Sequence, residues 1–156
     1  MLLVATGLHQ QTHVNIDDYL LPHVRGWADV GPLALSAIWG VRTYRRGATL
    51  EPHVDRLSHA LSVIVHVSQE DLSAPWPLQI QDHSGVMHEI NLAPGEILLY
   101  ESARLMHGRS NPLNGRGYSN LFVHYRPAGA VLPRLRLPPA FAESIGERPL
   151  FDIGVG

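Results

Sequence analysis

The sequence predicts a mainly β domain, a sandwich or barrel with jelly-roll topology, on three observations. From Leu33 almost to Arg126, short aliphatic and aromatic stretches alternate with turns built from Gly, Pro and Asn. One stretch, Leu61 to Val67, carries Val63, Ile64, Val65 and Val67 in a near-continuous run, the mark of a strand covered on both faces. Strong turn formers, Pro94-Gly95 and Asn114-Gly115, sit at the junctions. The 156 residues are read as one domain, 1–156, with a β core over 33–127 and a Pro-rich C-terminal extension over 128–156.

Each element has its own warrant. Asn15 or Asp17 caps a short helix through Tyr19-Leu20-Leu21 that Pro22 should disturb, and another short helical turn is expected around Val24 to Val30. Leu33 to Tyr44 is rich in aliphatic and aromatic residues and reads as a strand, followed by Leu61 to Val67. Leu78 to Gln81 and Val86 to Ile90 flank Asp82-His83-Ser84-Gly85 as a hairpin. The Pro94-Gly95 turn precedes a strand over Glu96 to Tyr100, and a last strand spans Tyr118 to Tyr125. Five prolines between 127 and 149 then make the tail an irregular strap or extension. No internal repeat is visible.

Composition bounds the function. A formal charge of −2 and a pI near 6.5 give no electrostatic reason to expect nucleic acid as a partner. Arg42, Arg45 and Arg46 lie close together, but Glu51, Asp55, Glu70 and Asp71 follow, so the triplet reads as a solvated strand edge. The absence of cysteine excludes disulfides and thiolate metal sites. Met1 to Ala5 is apolar but lacks a basic n-region, and no apolar run approaches the roughly 18 residues of a membrane span. A soluble, cytoplasmic protein with no membrane partner is the expectation; the oligomeric state is left open.

The chemistry is concentrated in His53-Val54-Asp55 and in His107, fifty-two residues past the aspartate. Two imidazoles and a carboxylate can occupy one face of an octahedral Fe(II) and leave three positions open. The i, i+2 spacing suits an extended segment, where alternate side chains point the same way. The third ligand must come from a strand remote in sequence and adjacent in space. With ten histidines and fourteen acidic residues, roughly one His-x-(Asp/Glu) is due to chance, so context decides.

That context resembles a family. Tyr44-Arg45-Arg46-Gly47-Ala48-Thr49-Leu50-Glu51-Pro52-His53-Val54-Asp55, the strand Leu61 to Val67, the stretch Leu92 to Tyr100 with Pro94-Gly95-Glu96, and His107-Gly108 through Pro112 and Gly115-Arg116 to Tyr125 follow one another as in the prolyl 4-hydroxylase-like Fe(II)/2-oxoglutarate dioxygenases. The resemblance covers roughly residues 37 to 127. It implies a double-stranded β-helix, cupin-like in its jelly roll, in which His53, Asp55 and His107 bind iron and act catalytically through it. It implies Fe(II), 2-oxoglutarate and O2 as cofactors and co-substrates, with ascorbate as an optional reductant. It also implies hydroxylation of an unactivated C–H bond of an amino acid, prolyl peptide or small metabolite, with release of succinate and CO2. Arg116 is then expected to bind the distal carboxylate of 2-oxoglutarate through two parallel hydrogen bonds. Tyr44 either donates its hydroxyl to the co-substrate or packs as a core tyrosine. His66, where relatives carry a tyrosine, is either a donor to 2-oxoglutarate or a satisfied core histidine. Arg116, Tyr118, Asn120, Phe122 and His124 share one parity, so Asn120 and Phe122 are expected to line the same pocket. Arg56 follows the metal aspartate and either meets an anionic substrate group or faces solvent, while Trp39 and Trp76 are read as packing residues. The alternative is a cupin-like metal-binding module without 2-oxoglutarate turnover, which has no need of a dicarboxylate anchor.

Overall fold

The computed structural model describes residues 15–129. One helix, α1 (Ile16–Ala28), precedes strands β1 (Leu33–Arg45), β2 (Leu50–His53), β3 (Leu61–Glu70), β4 (Leu78–Gln81), β5 (Met87–Ile90), β6 (Ile97–Tyr100), β7 (His107–Arg109) and β8 (Gly117–Pro127), with a short 3-10 turn at Leu57–His59. Residues 1–14 and 130–156, including Met1 to Ala5 and most of the expected C-terminal extension, lie outside the described residues. Among the described residues no helix is long and apolar enough to cross a membrane.

The N-terminal helix differs from expectation. Asn15 caps it as foreseen, its side chain accepting from the Asp17 N–H at 3.1 Å. The helix then runs through Pro22 to Ala28, so one element replaces the two short ones. Proline in a helix interior costs about 3 kcal/mol. Leu20 and Val24, one turn apart on either side of it, are both buried, and burying two such side chains contributes about 3–6 kcal/mol. Tertiary packing therefore outweighs the local penalty. Asp29 ends the helix in the left-handed conformation, φ 44°, with its N–H on the Arg25 carbonyl.

Two four-stranded antiparallel sheets face each other, ordered β1-β8-β3-β6 and β2-β7-β4-β5. This is the jelly roll the strand pattern predicts. Strand alternation on β3 sends Val63 and Val65 outward to Leu20 and Val24 of α1, and Ser62, Ile64 and His66 inward. Both faces are covered, as the near-continuous apolar run requires. The interior between the sheets holds two clusters, Ile64 with Leu78, Ile80 and Tyr100, and Tyr44 with Trp76, Leu113 and Tyr118. Turn chemistry follows the sequence. Glu96 N–H donates to the Ala93 carbonyl at 3.0 Å around Pro94-Gly95, with Gly95 at φ 93°, and Asp82 accepts from Ser84 and Val86 within the β4–β5 hairpin.

Candidate active site

β2 and β7 pair so that His53 and His107 stand opposite each other, ring centroids 4.4 Å apart. Two residues of β2 oppose Gly108, and the approach is close: a Cβ there would lie 2.8 Å from the Leu50 carbonyl and 2.9 Å from the Pro52 backbone. Glycine at 108 is what lets the two ligand strands touch. Pro52, with no N–H to donate, is tolerated because β2 is an edge strand.

His53, Asp55 and His107 each offer one ligand atom, all within 4.8 Å of one another. Each imidazole is oriented by a backbone carbonyl: His53 Nδ1 donates to Glu51 O at 2.7 Å and His107 Nδ1 to Leu105 O at 2.9 Å. In the neutral rings that leaves both Nε2 atoms unprotonated, as metal ligation requires. His53 Nε2 lies 3.6 Å from Asp55 Oδ1, and this contact holds the His53 pKa above its ordinary 6.5 against the opposing effect of burial. Burial pushes the Asp55 carboxyl upward, but the hydrogen bond with His53 and the neighbouring imidazoles of His107 and His124 outweigh it and hold the group below its ordinary range. Burial lowers the pKa of His107. The Tyr100 hydroxyl, buried, donates to His107 Nε2 at 3.4 Å.

Asp55 is itself held from behind. Its N–H donates to the Ser102 carbonyl at 2.8 Å, and its Oδ2 lies 3.4 Å from Ser62 Oγ and 3.7 Å from His124 Nδ1. Ser62 Oγ is the hub, 2.5 Å from Ser102 Oγ and 2.6 Å from His124 Nδ1, while Ser102 Oγ donates to the His59 carbonyl. Burial brings the His124 pKa down to about 4, so this ring is neutral near neutral pH. Neither serine was marked from the sequence; Ser62 is visible only as the one polar residue facing inward at the start of an apolar strand.

Two residues beyond His107 on the same face of β7, about 7 Å along the strand, stands Arg109. It is 2% exposed. Its guanidinium carbon sits 4.6 Å above the Trp76 ring and 4.8 Å from that of Tyr118, and Nη1 donates to the Trp76 carbonyl. Burial lowers its pKa, the groups that support its charge are tyrosines, and among the described residues Nη2 has no hydrogen-bond partner. The buried Tyr44 hydroxyl and Asn120 Nδ2 are likewise without partners. A desolvated cation without an acid, beside further unpaired polar atoms, is a costly arrangement unless an anion completes it.

The remaining expected residues divide. Tyr118, Asn120, Phe122 and His124 face inward, as parity requires. His66 is fully buried and already engaged, Nδ1 2.9 Å from Asn120 Oδ1, Nε2 3.2 Å from Gln69 Oε1, its ring stacked on Tyr118. Arg116 does not join the site. It lies one residue ahead of β8, 66% exposed, with Nε 3.2 Å from Glu70 and 3.1 Å from Asp71. Alternation applies only within the strand, and the chain before Gly117 has already turned outward. Arg56 is exposed on the loop after Asp55. A cleft of about 540 Å³ lined by Gln69, Leu72, Trp76, Leu92, Glu96 and Tyr118 includes the two rings that flank Arg109 and no triad residue.

No family model matches the sequence, and no curated protein does. Solved structures resemble it. A Pseudomonas putida prolyl-4-hydroxylase superposes with a TM-score of 0.54 at 19% identity, over 72% of this chain and 62% of that one. HygX from Streptomyces hygroscopicus, solved with iron bound, gives 0.57 at 19% identity over 73% and 66% of the two chains. The fold is that of the Fe(II)/2-oxoglutarate oxygenases. It is thus the double-stranded β-helix implied by the four sequence stretches. A Burkholderia pseudomallei oxidoreductase of the 2OG-Fe(II) oxygenase family agrees, with a TM-score of 0.54 at 12% identity over 75% and 61%. HygX is also known with nickel and 2-oxoglutarate bound. This chain spans less than two thirds of the length of each of these structures.

Proposed function

We propose that the chain is an Fe(II)/2-oxoglutarate-dependent oxygenase that hydroxylates an unactivated C–H bond of a small molecule or peptide. The observation that carries the reading is a pairing: a convergent His53–Asp55–His107 set and, two residues along the same strand, a buried arginine that meets no acid among the described residues. The residues fit the groups. Unprotonated Nε2 atoms and an ionised carboxylate suit Fe(II). Arg109 Nη2 and the Tyr44 hydroxyl supply donors for the far carboxylate of a five-carbon dicarboxylate, with Asn120 Nδ2 as a third donor on the same inner surface. The anchor is therefore Arg109 in place of Arg116. When bound, Fe(II) and 2-oxoglutarate supply the oxidising chemistry: one atom of O2 goes into the C–H bond, the other into succinate, and CO2 leaves.

The protein's own work is positional. The Glu51 and Leu105 carbonyls fix the tautomers of the two imidazoles, and Ser62, Ser102 and His124 fix the carboxylate. Trp76 and Tyr118 wall Arg109 off from water, which strengthens its hold on an anion. A cupin-like metal-binding module would need the triad but would gain nothing from a desolvated arginine.

The test is anaerobic addition of Fe(II) and 2-oxoglutarate. A weak visible charge-transfer band is expected in the wild type and lost in His107→Ala. Arg109→Gln should raise the 2-oxoglutarate concentration needed for the band tenfold or more, roughly the worth of a charge-assisted hydrogen bond. Arg116→Gln should leave the titration unaltered. A shift in Arg116→Gln but not in Arg109→Gln would return the anchor to the surface residue. No band in the wild type would favour the metal-binding module.

A further inference from the structure

The edge strands β1 and β2 belong to different sheets, and the Arg42 charge on β1 is felt weakly at the His53 ring on β2. β1 pairs with β8 so that Tyr44, Arg42, Gly40 and Ala37 stand opposite Tyr118, Asn120, Phe122 and His124, and so share the inner face. The pairing slips twice, between Leu35 and Ala37 and between Ile38 and Gly40. The two extra residues are Ser36 and Trp39, and both turn toward the groups behind the triad. Ser36 Oγ is 3.0 Å from His59 Nδ1, and the Trp39 ring stands edge-on to His59 and His124 at 5.9 and 6.3 Å.

Three features of this wall remain unused by the reaction described above. Trp39 is 54% exposed although its ring adjoins the histidines behind Asp55. Arg42 is exposed on the inner face, and among the described residues no ion pair engages it. Between them Gly40, at φ 73°, places no side chain opposite Phe122, and a Cβ there would meet nothing within 4 Å among the described residues. The wall thus sets a cation at Arg42 and an exposed ring at Trp39 on either side of the side-chain-free Gly40, a slot in the strand surface beside His124.

Resting on the oxygenase reading, we infer that this slot seats a small organic acid, its carboxylate on Arg42 and its apolar body on Trp39, in preference to a residue within a peptide. A free carboxylate meets the guanidinium with two charge-assisted hydrogen bonds, whereas an internal peptide residue offers only neutral amides there. The buried Arg109 keeps 2-oxoglutarate at a separate position, so the two anions do not compete for one cation.

The experiment compares phenylacetate, hexanoate, N-acetyl-L-proline and N-acetyl-L-leucine with their primary amides, by ligand-observed NMR on the metal-free chain. At least one acid should bind about tenfold more tightly than its amide. In Arg42→Gln that acid should fall to the amide's level while the amide is unchanged, and Arg42→Lys should recover part of the preference. Trp39→Ala should weaken acid and amide alike. The inference is overturned if no acid outbinds its amide, if the preference survives Arg42→Gln, or if Arg42→Gln raises the 2-oxoglutarate requirement of the charge-transfer band. Failure of the oxygenase reading shows separately, as the absence of that band in the wild type, because the acid and amide comparison needs no metal.

Discussion

The proton inventory around Ser62 decides what the residues behind the metal ligands do. Ser102 spends its hydroxyl proton on the His59 carbonyl, so toward Ser62 it is an acceptor. His124, neutral, contributes at Nδ1 at most one N–H toward Ser62. The single Ser62 hydroxyl proton is therefore divided between Ser102 Oγ at 2.5 Å and Asp55 Oδ2 at 3.4 Å, while Asp55 Oδ1 stands beside His53. Ser62→Ala removes the hub while deleting only an oxygen atom. It should weaken Co(II) binding about 10- to 100-fold, the usual worth of a group that orients a ligand. Competition titration against a chelating dye measures it, with thermal unfolding of the metal-free variant as control. An unchanged Kd would reduce the network to ordinary core satisfaction. The same scale shows why Arg116 misled. A motif reader finds an arginine at an appealing distance after His107, but whether it enters the barrel depends on where β8 begins, and Glu70 and Asp71 claim it outside. Arg109 was open to the period-two argument applied to His107 itself, since residues i and i+2 share a face.

At the scale of elements, the site depends on one close backbone approach. β2 and β7 are four and three residues long and carry polar ligands where a strand pattern expects apolar ones, so hydrophobic alternation could not locate them. The long strands β3 and β8 were legible because their apolar positions face α1 or the interior, and β1 because it is a long aliphatic and aromatic stretch, although Leu35, Ile38, Trp39 and Val41 are exposed. The single helix was not, because its continuity through Pro22 is enforced by packing on β3 and β8, which no local propensity encodes. The short strands have a stronger constraint than pattern in Gly108. In Gly108→Ala the new methyl would press on backbone at Leu50 and Pro52, which cannot rotate away as a side chain would. The strands must then separate, carrying His53 away from His107. The expected outcome is loss of the Fe(II)/2-oxoglutarate band with the far-UV circular dichroism retained, since the larger sheet does not depend on this contact. A variant that still forms the band at wild-type concentrations would show that β2 can yield without moving the imidazole.

For the whole molecule, the same burial that prepares the site makes the metal-free fold sensitive to acid. His107 and His124 have folded-state pKa values below the 6.5 expected of an unfolded chain, in both cases because burial disfavours the charged ring, and for His124 the value falls to about 4. As pH drops below 6.5 the unfolded chain takes up protons that the folded chain refuses, so stability declines. For His124 the decline ends near its folded value, and a shift of that size amounts to about 3 kcal/mol in total. His53 works the other way. Its contact with Asp55 raises its folded value, so its contribution is present below 6.5 and lost as pH rises through that value. Below 6.5 the His53 contribution is already complete, so between 6.5 and 4 the two rings with lowered values set the trend, a fall. Urea unfolding of the chelator-treated protein at pH values from 6.5 down toward 4 should show the decline, and His124→Gln should flatten it. The comparison is made on the difference between variant and wild type, because carboxylates titrating near the lower end are common to both. Equal slopes in the two proteins would mean that the ring takes up its proton without leaving Ser62, and that the space around Asp55 admits more water than its burial implies.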